Sequence, residues 1–329
     1  MNTPRDILVI KPSSLGDVVH ALPAVALVKK AWPKARLRWL INPEWAPLLA
    51  GNPHVDEVVI FPRGEFRGLR GLARIPAWAK AMAEQKSDLV LDFQGLLRSA
   101  LIAKLIRAAG GKILGLADAR EGARFFYDFA ADVRGVAHAV DRYAILADLA
   151  IDDTDLLRRD KSYSLEWTLP QGSAPTNFAY AAPFILLHPF SRGTGKSLTP
   201  NDVATFCREV APRRVVLAGR TDQQVAPLDN VTALLNRTTI PELIWLIRHA
   251  AFVVSVDSGP MHIAAALTPR LLSMHTWSDP RKVGPYRPEA WVWKDAALFQ
   301  MKHVADPGMH RRAASLAEVA RHVAAQLGA

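Results

Sequence analysis

The chain has 329 residues, half of them hydrophobic, which is enough for two packed domains and excludes a disordered or fibrous protein. Lys and Arg exceed Asp and Glu by 41 to 31, so the formal charge is +10 and an anionic partner is expected. The single cysteine, Cys207, excludes a disulfide framework and a multi-cysteine zinc site.

The first residues lead directly into an apolar strand pattern without the features of a secretory signal, so we expect a cytoplasmic protein. No apolar run reaches the ~18–20 residues that span a bilayer, so any membrane contact is expected to be peripheral. Short apolar runs alternate with helical patterns through the first half: Ile7–Lys11, Val18–Lys30, Leu37–Ile41, Val58–Phe61, Leu72–Ala83, Leu89–Phe93, Leu96–Ala108 and Lys112–Leu116. This alternation is typical of a doubly wound α/β sheet.

Turn-forming residues at Pro170–Pro175 predict a linker, after which the alternation restarts. The second half contains Phe184–His188, Asp202–Val210, Val215–Ala218, Pro241–His249, Phe252–Val256, Met261–Leu267 and Leu271–His275. The sequence therefore predicts two α/β domains, residues 1–172 and 173–329, facing one cleft. The final helical pattern, Ala314–Leu327, could pack on either domain.

The segment Lys11–Asp17 follows the opening strand and precedes a helix. Gly16 permits close approach of the backbone, and Asp17 lies in the first helical turn, where the helix dipole favours a carboxylate. Asp17 could accept a proton from a hydroxyl in the cleft, or it could only stabilise the helix terminus. The segment lacks the GxGxxG fingerprint, which disfavours a dehydrogenase.

The segment His188–Ser197 combines hydroxyls, glycines and the cation Lys196, which suits phosphate oxygens. It also resembles the end of a Walker A loop, but Phe190 stands where that loop needs its first glycine. The next helix is expected to start at Thr199–Pro200 instead of at the Gly-Lys pair. A P-loop kinase or ATPase is therefore the weaker alternative, and a solvated loop without a ligand is a third.

Two further strands of the second half are followed by polar turns. Ser258 and Gly259 place backbone N–H groups at a helix N-terminus, which is a site for a diphosphate. His262, one turn further on, is either an additional donor or a histidine at the edge of the core. Asp222 follows a strand and Gly219, where a carboxylate can accept both hydroxyls of a ribose or can simply cap the turn.

Several arginines are concentrated in the first half: Arg63, Arg67, Arg70, Arg74, Arg98 and Arg120. Glu65 is the only acidic residue between Arg63 and Arg74. A solvated helix face is the ordinary explanation of such a run. Clustered arginines separated by glycines also suit recognition of phosphate or carboxylate groups.

Three segments together resemble glycosyltransferase family 9, which includes the ADP-heptose:lipopolysaccharide heptosyltransferases. They are VIKPSSLGDVVHALP from Val9, DFQGLLRS from Asp92 and VDSGPMHIAAA from Val256, and they occur in the right order over nearly the whole chain. The resemblance implies a GT-B fold, in which two Rossmann-like domains face a central cleft. It also implies an inverting transfer that needs neither a metal nor a cofactor.

The resemblance implies that Asp17 is the general base that deprotonates an acceptor hydroxyl. The implied donor-binding residues lie in the second domain, with Asp222 at the ribose position and Thr238 in the adenine-contacting segment: Ser191, Arg192, Lys196, Asp222, Thr238, Asp257, Ser258, Gly259 and His262. The implied acceptor-binding residues lie in the first domain: Ser14, Gly16, Arg63, Arg67, Arg70, Gln94, Arg98 and Arg120.

Two segments depart from the family pattern. The loop after His188 often carries a Trp-Pro-Thr-Lys-Arg-Trp-like run in relatives, whereas residues 192–198 read RGTGKSL here. The segment Thr276–Tyr286 keeps the Asp-Pro and Gly-Pro-Tyr elements behind a different lead-in. The first departure bears on which sugar the donor carries.

The sequence thus predicts a monomeric enzyme that moves heptose from ADP-heptose to an anionic inner-core glycolipid at the cytoplasmic face of the inner membrane. One alternative is a glycosyltransferase of the same fold with another nucleotide sugar and acceptor. The others are the P-loop enzyme and a module that binds an anionic surface or nucleic acid, the last motivated by net charge alone. For the favoured enzyme no nucleic-acid partner is expected.

Overall fold

The computed structural model describes residues 3–151, 165–176, 178, 183–192 and 195–328. The chain divides into two compact units, Met1–Pro170 and Gln171–Ala329, a division two residues before the predicted boundary. Among the described residues, no helix is both long enough and apolar enough to cross a membrane.

A six-stranded sheet forms the centre of the first unit. Its strands are β1 (Asp6–Ile10), β2 (Arg36–Ile41), β3 (Glu57–Ile60), β4 (Ser87–Asp92), β5 (Arg107–Leu116) and β6 (Phe129–Ala131). The spatial order is β3-β2-β1-β4-β5-β6, and every neighbouring pair is parallel. The loops after β1 and β4 therefore meet at a topological switch point, where open α/β sheets bind ligands.

Two layers of helices cover this sheet: α1 (Leu15–Ala31), α2 (Gly68–Leu72), α3 (Ile75–Glu84), α4 (Leu97–Ile106) and α5 (Ala139–Ile151). The helix α1 packs against α5, and α3 packs against α4. Leu8 and Ile10 of β1 belong to the core under α3 and α4. Ile7 and Val9 point to the opposite face and are also fully buried, because both faces of the strand are covered.

The second unit contains an eight-stranded sheet. Its strands are β7 (Phe184–His188), β8 (Arg214–Gly219), β9 (Val231–Leu235), β10 (Phe252–Val256), β11 (Leu271–His275), β12 (Trp291–Lys294), β13 (Ala297–Gln300) and β14 (Arg311–Arg312). The spatial order is β14-β13-β12-β11-β10-β7-β8-β9. The parallel strands β7 to β12 repeat the order of the first sheet, so that β7 and β10 form a second switch point, and the antiparallel β13 and β14 extend one edge.

The helices of the second unit are α6 (Pro200–Glu209), α7 (Ile240–His249), α8 (Gly259–Leu267), α9 (Pro280–Val283) and α10 (Leu316–Gln326). Three of them, α6, α7 and α10, begin with a capping box in which a Ser or Thr cap is followed three residues later by Asp or Glu. The final helix, α10, packs against α6 within the same unit.

The structure confirms the predicted α/β class but adds elements that the sequence pattern does not indicate. The helix predicted over Leu96–Ala108 ends at Ile106, and β5 begins at Arg107 instead of Lys112. Strands β6, β9, β12, β13 and β14 are also new. These strands are short or lie at sheet edges, where half-buried side chains give little apolar periodicity and pairing with a neighbour determines the structure.

Candidate active site

Asp17 occupies the first turn of α1, the helix that follows β1 after a short loop. The backbone N–H and the hydroxyl of Ser14 both donate to Asp17 Oδ2, at 3.0 and 2.7 Å. Ser14 precedes the helix as its N-cap residue, and Asp17 is partly exposed. The carboxylate is therefore oriented by the cap and still reachable from solvent, so the capping role and the role of a base are compatible.

Lys11 is a site residue that the sequence reasoning did not single out. Its side chain is 4% exposed, and Nζ donates to the Phe93 carbonyl at 3.2 Å. Burial disfavours the ammonium, but Tyr143, Asp17 and Asp92 together raise the pKa of Lys11 above its ordinary value. A buried cation thus lies beside the Asp17 carboxylate. The only signal in the sequence was a lysine placed directly after a buried strand.

Asp92, at the end of β4, holds the other loop of this switch point. Its Oδ1 accepts the backbone N–H groups of Gln94 and Gly95 at 2.9 and 3.1 Å. Its Oδ2 accepts the hydroxyls of Ser99 and Tyr127, each at 2.8 Å. Complete burial raises the pKa of Asp92, and these four donors oppose the rise. The carboxylate therefore fixes the loop that carries Gln94.

A depression beside these two loops collects several of the predicted acceptor residues. It is lined by Pro12, Ser13, Asn42, Phe61, Arg63, Gln94, Arg98, Ser99 and Ile102. Asn42 Oδ1 and Gln94 Oε1 are buried and have no hydrogen-bond partner among the described residues. Buried acceptors without partners are rare in native proteins, which marks the depression as a place where a hydroxylated ligand could supply donors.

The remaining predicted acceptor residues are not brought together to the same extent. Arg67 and Arg70 are exposed and do not line the depression. Arg120 is exposed, and its backbone N–H donates to the Gly95 carbonyl at 2.9 Å. The backbone of Arg120 therefore lies beside the loop that carries Gln94. Asn42 lines the depression but was not predicted from the sequence, because a single asparagine after a strand carries no distinctive signal.

In the second unit, the loop after β7 is closed by reciprocal hydrogen bonds. The Ser191 backbone N–H donates to Ser197 Oγ at 3.0 Å, and that hydroxyl donates to the Ser191 carbonyl at 3.1 Å. The Ser191 hydroxyl donates to the Asp257 carbonyl at 3.2 Å, which joins the loop to the end of β10. Arg192 is exposed. The loop is thus tied to the second switch point.

Lys196 and Asp257 form an ion pair at this switch point. Lys196 Nζ lies 3.0 Å from Asp257 Oδ2. Burial raises the pKa of Asp257, but hydrogen bonds from Lys196 and Ser278 lower it below its usual value. Ser278 Oγ lies 2.9 Å from His275 Nδ1, and burial lowers the pKa of His275 to about 4. The Lys196–Asp257 ion pair therefore lies where the donor phosphates were predicted to bind, and the neutral His275 contacts it through Ser278.

The other predicted donor residues lie at the carboxyl ends of neighbouring parallel strands. Ser258 is the N-cap residue of α8, but its hydroxyl donates to the Val256 carbonyl at 3.1 Å and does not cap the helix. His262 lies on α8 and is buried. Asp222 is exposed beyond β8, and Thr238 is partly exposed beyond β9. Because parallel strands end at one edge, these residues share the edge that carries Lys196.

Trp277, in the segment that diverges from the family pattern, lies next to Lys196, the lysine predicted to bind the donor phosphates. Its side chain is 64% exposed, and Lys196 Nζ is 4.9 Å from the centre of its ring. This cation–π contact supplies an aromatic neighbour to a lysine whose own loop, residues 189–198, contains no tryptophan.

The geometry disfavours the P-loop alternative. Gly193 and Thr194 lie outside the described residues, but α6 begins at Pro200 behind the cap residue Thr199, as predicted, and not at the Gly-Lys pair. Lys196 pairs with Asp257 and is not positioned by a helix start. Within the described ranges, no group of three or more His, Cys, Asp and Glu residues is arranged to hold a metal ion.

Solved structures show which class of protein has this architecture. The E. coli heptosyltransferase WaaC with ADP superimposes with a TM-score of 0.71 at 22% identity, over 97% of this chain and 98% of that one. E. coli ADP-heptose lps heptosyltransferase II gives a TM-score of 0.72 at 21% identity, over 98% and 100% of the two chains. The fold, with two Rossmann-like units, is that of the GT-B glycosyltransferases.

Sequence comparison identifies the family. The profile of glycosyltransferase family 9 (heptosyltransferase) matches residues 75–309, so the chain belongs to this family and is a glycosyltransferase. Lipopolysaccharide heptosyltransferase 1 of Pseudomonas aeruginosa is 29% identical over 298 residues, covering 85% of this chain and 81% of the relative. The protein of the same name from Salmonella typhimurium is 28% identical over 305 residues, covering 85% and 91%.

Proposed function

We propose that this glycosyltransferase moves a heptose from ADP-heptose to an inner-core lipopolysaccharide acceptor, with Asp17 as the general base. The relatives named lipopolysaccharide heptosyltransferase support the substrate class. The observation that carries the assignment of the base is the Asp17 carboxylate, which is oriented by Ser14, partly exposed, and located at the switch point of the first sheet.

In the proposed reaction, the acceptor hydroxyl transfers its proton to Asp17 while its oxygen attacks the anomeric carbon of the heptose. The bond between that carbon and the β-phosphate oxygen breaks, and ADP leaves with the bonding pair. The attack occurs opposite the leaving group, so the anomeric configuration inverts. Lys11 favours the ionised form of Asp17 before the transfer, because it holds a positive charge nearby.

The donor is proposed to bind to the second unit. The ammonium of Lys196 and the free helix end at Ser258 and Gly259 suit a diphosphate, because both present positive potential to oxygen atoms. Ser191 and Asp257 position the lysine and its loop. The remaining donor residues of the proposal are Arg192 and His262 near the phosphates, Asp222 at the ribose and Thr238 near the adenine.

The acceptor is proposed to bind to the first unit, beside Asp17. The Asn42 and Gln94 oxygens, which have no partner within the described part of the chain, suit sugar hydroxyls. Arg63 and Arg98 of the same depression suit the anionic groups of an inner-core glycolipid. Ser14, the N-cap residue of α1, and Gly16, in its first turn, are also proposed to contact the acceptor. Arg67, Arg70 and Arg120 are proposed as additional contacts of the acceptor.

The proposed enzyme acts as a monomer at the cytoplasmic face of the inner membrane, where its glycolipid acceptor is held. Its only small-molecule partner is the nucleotide sugar, which is a substrate. Neither a metal nor another cofactor is part of the proposed reaction, and no nucleic-acid partner is proposed.

The replacement Asp17→Asn tests the role of the base. An asparagine oxygen can still accept the cap hydrogen bonds but cannot take a proton, so ADP release from ADP-heptose with acceptor should fall by on the order of 100-fold or more. Binding of ADP, measured by calorimetry, should stay within about twofold of wild type.

A matched control is Asp202→Asn, because Asp202 occupies the same position in the capping box of α6 that Asp17 occupies in α1. This control should keep its turnover. Unchanged turnover in Asp17→Asn, or an equal loss in Asp202→Asn, would remove Asp17 from the role of the base. Titration with a panel of nucleotide sugars tests the donor: binding of ADP-heptose no tighter than that of UDP-sugars would refute that part of the proposal.

A further inference from the structure

Exposed apolar side chains are concentrated in one stretch of the sequence of the first unit. Of ten large hydrophobic side chains exposed among the described residues, eight lie between residues 60 and 129: Ile60, Leu69, Leu72, Ile75, Leu97, Leu101, Phe125 and Phe129. Leu69 and Phe125 are the most exposed, at 87% and 91%. Single exposed apolar residues are normal, but a concentration of them marks an interaction surface.

The segment of residues 63–75 is anchored to the core while its leucines remain outside. Phe66 packs edge-on against Phe61 and Trp78, with ring centres 5.8 and 5.5 Å away. The segment folds tightly on itself, because a Cβ on Gly71 would lie 2.5 Å from the Glu65 carbonyl oxygen. Leu69 and Leu72 are therefore exposed on a segment whose own aromatic residue is packed inside.

The neighbouring elements continue this surface. On α4, the exposed Leu97 and Leu101 are four residues apart and share one stripe of the helix. That helix packs against α3 and against the short helical turn at residues 123–126, which carries Phe125. Arg98 of α4 lies 5.9 Å from the Phe61 ring, beside segment 63–75. We define the apolar-basic face as residues 63–84, the outer stripe of α4, and residues 120–126.

The apolar-basic face is also strongly positive. Residues 63–84, 97–106 and 120–126 contain nine Lys or Arg and only three Asp or Glu, an excess of six against +10 for the whole chain. Two of the three acids are occupied locally. Glu65 pairs with Arg74 at 3.2 Å, and Glu121 accepts the backbone N–H of Leu97 at 3.2 Å. The arginines of this face therefore present unbalanced charge beside exposed leucines.

We propose that the apolar-basic face docks the first unit onto an anionic phospholipid bilayer. Leu69 and Leu72 enter the headgroup region, and Arg67 and Arg70 contact lipid phosphates. This combination of apolar residues with a basic surround is what interfacial membrane binding requires, whereas a nucleic acid would use the arginines but not the leucines. The inference rests on the proposed function to the extent that its glycolipid acceptor lies in such a bilayer.

Binding to vesicles tests this surface directly. The full chain should cosediment with vesicles that mix phosphatidylglycerol with phosphatidylcholine, and only weakly with phosphatidylcholine alone. The double variant Leu69→Ser/Leu72→Ser should weaken binding to the mixed vesicles by on the order of tenfold or more. Arg67→Gln and Arg70→Gln should each weaken it roughly fivefold at low salt, an effect that fades as salt is added.

Met309→Ser is the matched control, because Met309 is an apolar side chain 53% exposed on the second unit. It should leave vesicle binding unchanged. The proposal would be overturned if the double leucine variant bound the mixed vesicles as tightly as wild type, or if Met309→Ser weakened vesicle binding as much as the double leucine variant does. The proposal would also be overturned if the wild type formed a dimer in the absence of vesicles and the double leucine variant did not. That result would assign the face to a second copy of the chain.

Failure of the proposed function would give a different pattern. With a de-acylated, water-soluble acceptor, the double leucine variant should transfer sugar at the wild-type rate, because neither leucine belongs to the proposed site. Normal transfer without vesicle binding by the wild type would reject the membrane face alone. Vesicle binding without transfer from ADP-heptose would reject the proposed donor and acceptor and leave the membrane face standing.

Discussion

His188 should make the second unit sensitive to acid. It ends β7, directly before the loop that carries Lys196, and its side chain is 8% exposed. Nδ1 has no hydrogen-bond partner among the described residues. Burial lowers the pKa of His188 from 6.5 to about 4, so the folded protein holds the imidazole neutral at pH values at which the unfolded chain is protonated.

The size and sign of the effect follow from this difference in pKa. The neutral histidine contributes stability that is fully present above pH 6.5, and this stability is lost as the pH falls towards 4. Since one pKa unit corresponds to about 1.4 kcal/mol, His188 alone should cost about 2 kcal/mol at about pH 5 and about 3 kcal/mol below about pH 4. That is a large fraction of the stability of one domain.

The replacement His188→Leu removes the titrating group and puts an apolar side chain of similar size in its place. Free energies of unfolding should be measured with urea at about pH 8 and about pH 5. The loss of stability between the two should be smaller in the variant by about 2 kcal/mol. The same pH dependence in His188→Leu and wild type would refute the reasoning.

Three other replacements test the rest of the site. Lys11→Met removes the buried cation beside Asp17, so the acidic limb of the kcat/KM profile should move to higher pH; an unmoved limb would contradict the electrostatic role. Asp92→Asn deprives two hydroxyls of their acceptor and should lower the free energy of unfolding in urea by about 2–4 kcal/mol; equal stability would count against it. Lys196→Met should weaken ADP binding in calorimetry by on the order of 10- to 100-fold, and unchanged affinity would remove Lys196 from the donor site.

The candidate site was only partly accessible from the sequence. Asp17, Lys196 and Ser258 follow predicted strands, and a parallel sheet places all such residues at one edge. Lys11, Asn42 and Ser278 were not singled out, because their roles depend on neighbours that are distant in the chain. Asn42, for example, matters because it lines a depression with Gln94 and its buried Oδ1 has no hydrogen-bond partner among the residues that the structure describes.

Local sequence patterns were sufficient to predict the alternation of strands and helices, the two α/β halves, and the helix start at Thr199. These features depend on residues within a few positions of one another, such as a capping box or an apolar run. The order of the strands, the presence of β12 to β14, and the ion pair of Lys196 with Asp257 became apparent only from the three-dimensional structure. The physical reason is that burial and pairing depend on which distant segments meet, and a local pattern does not contain that information.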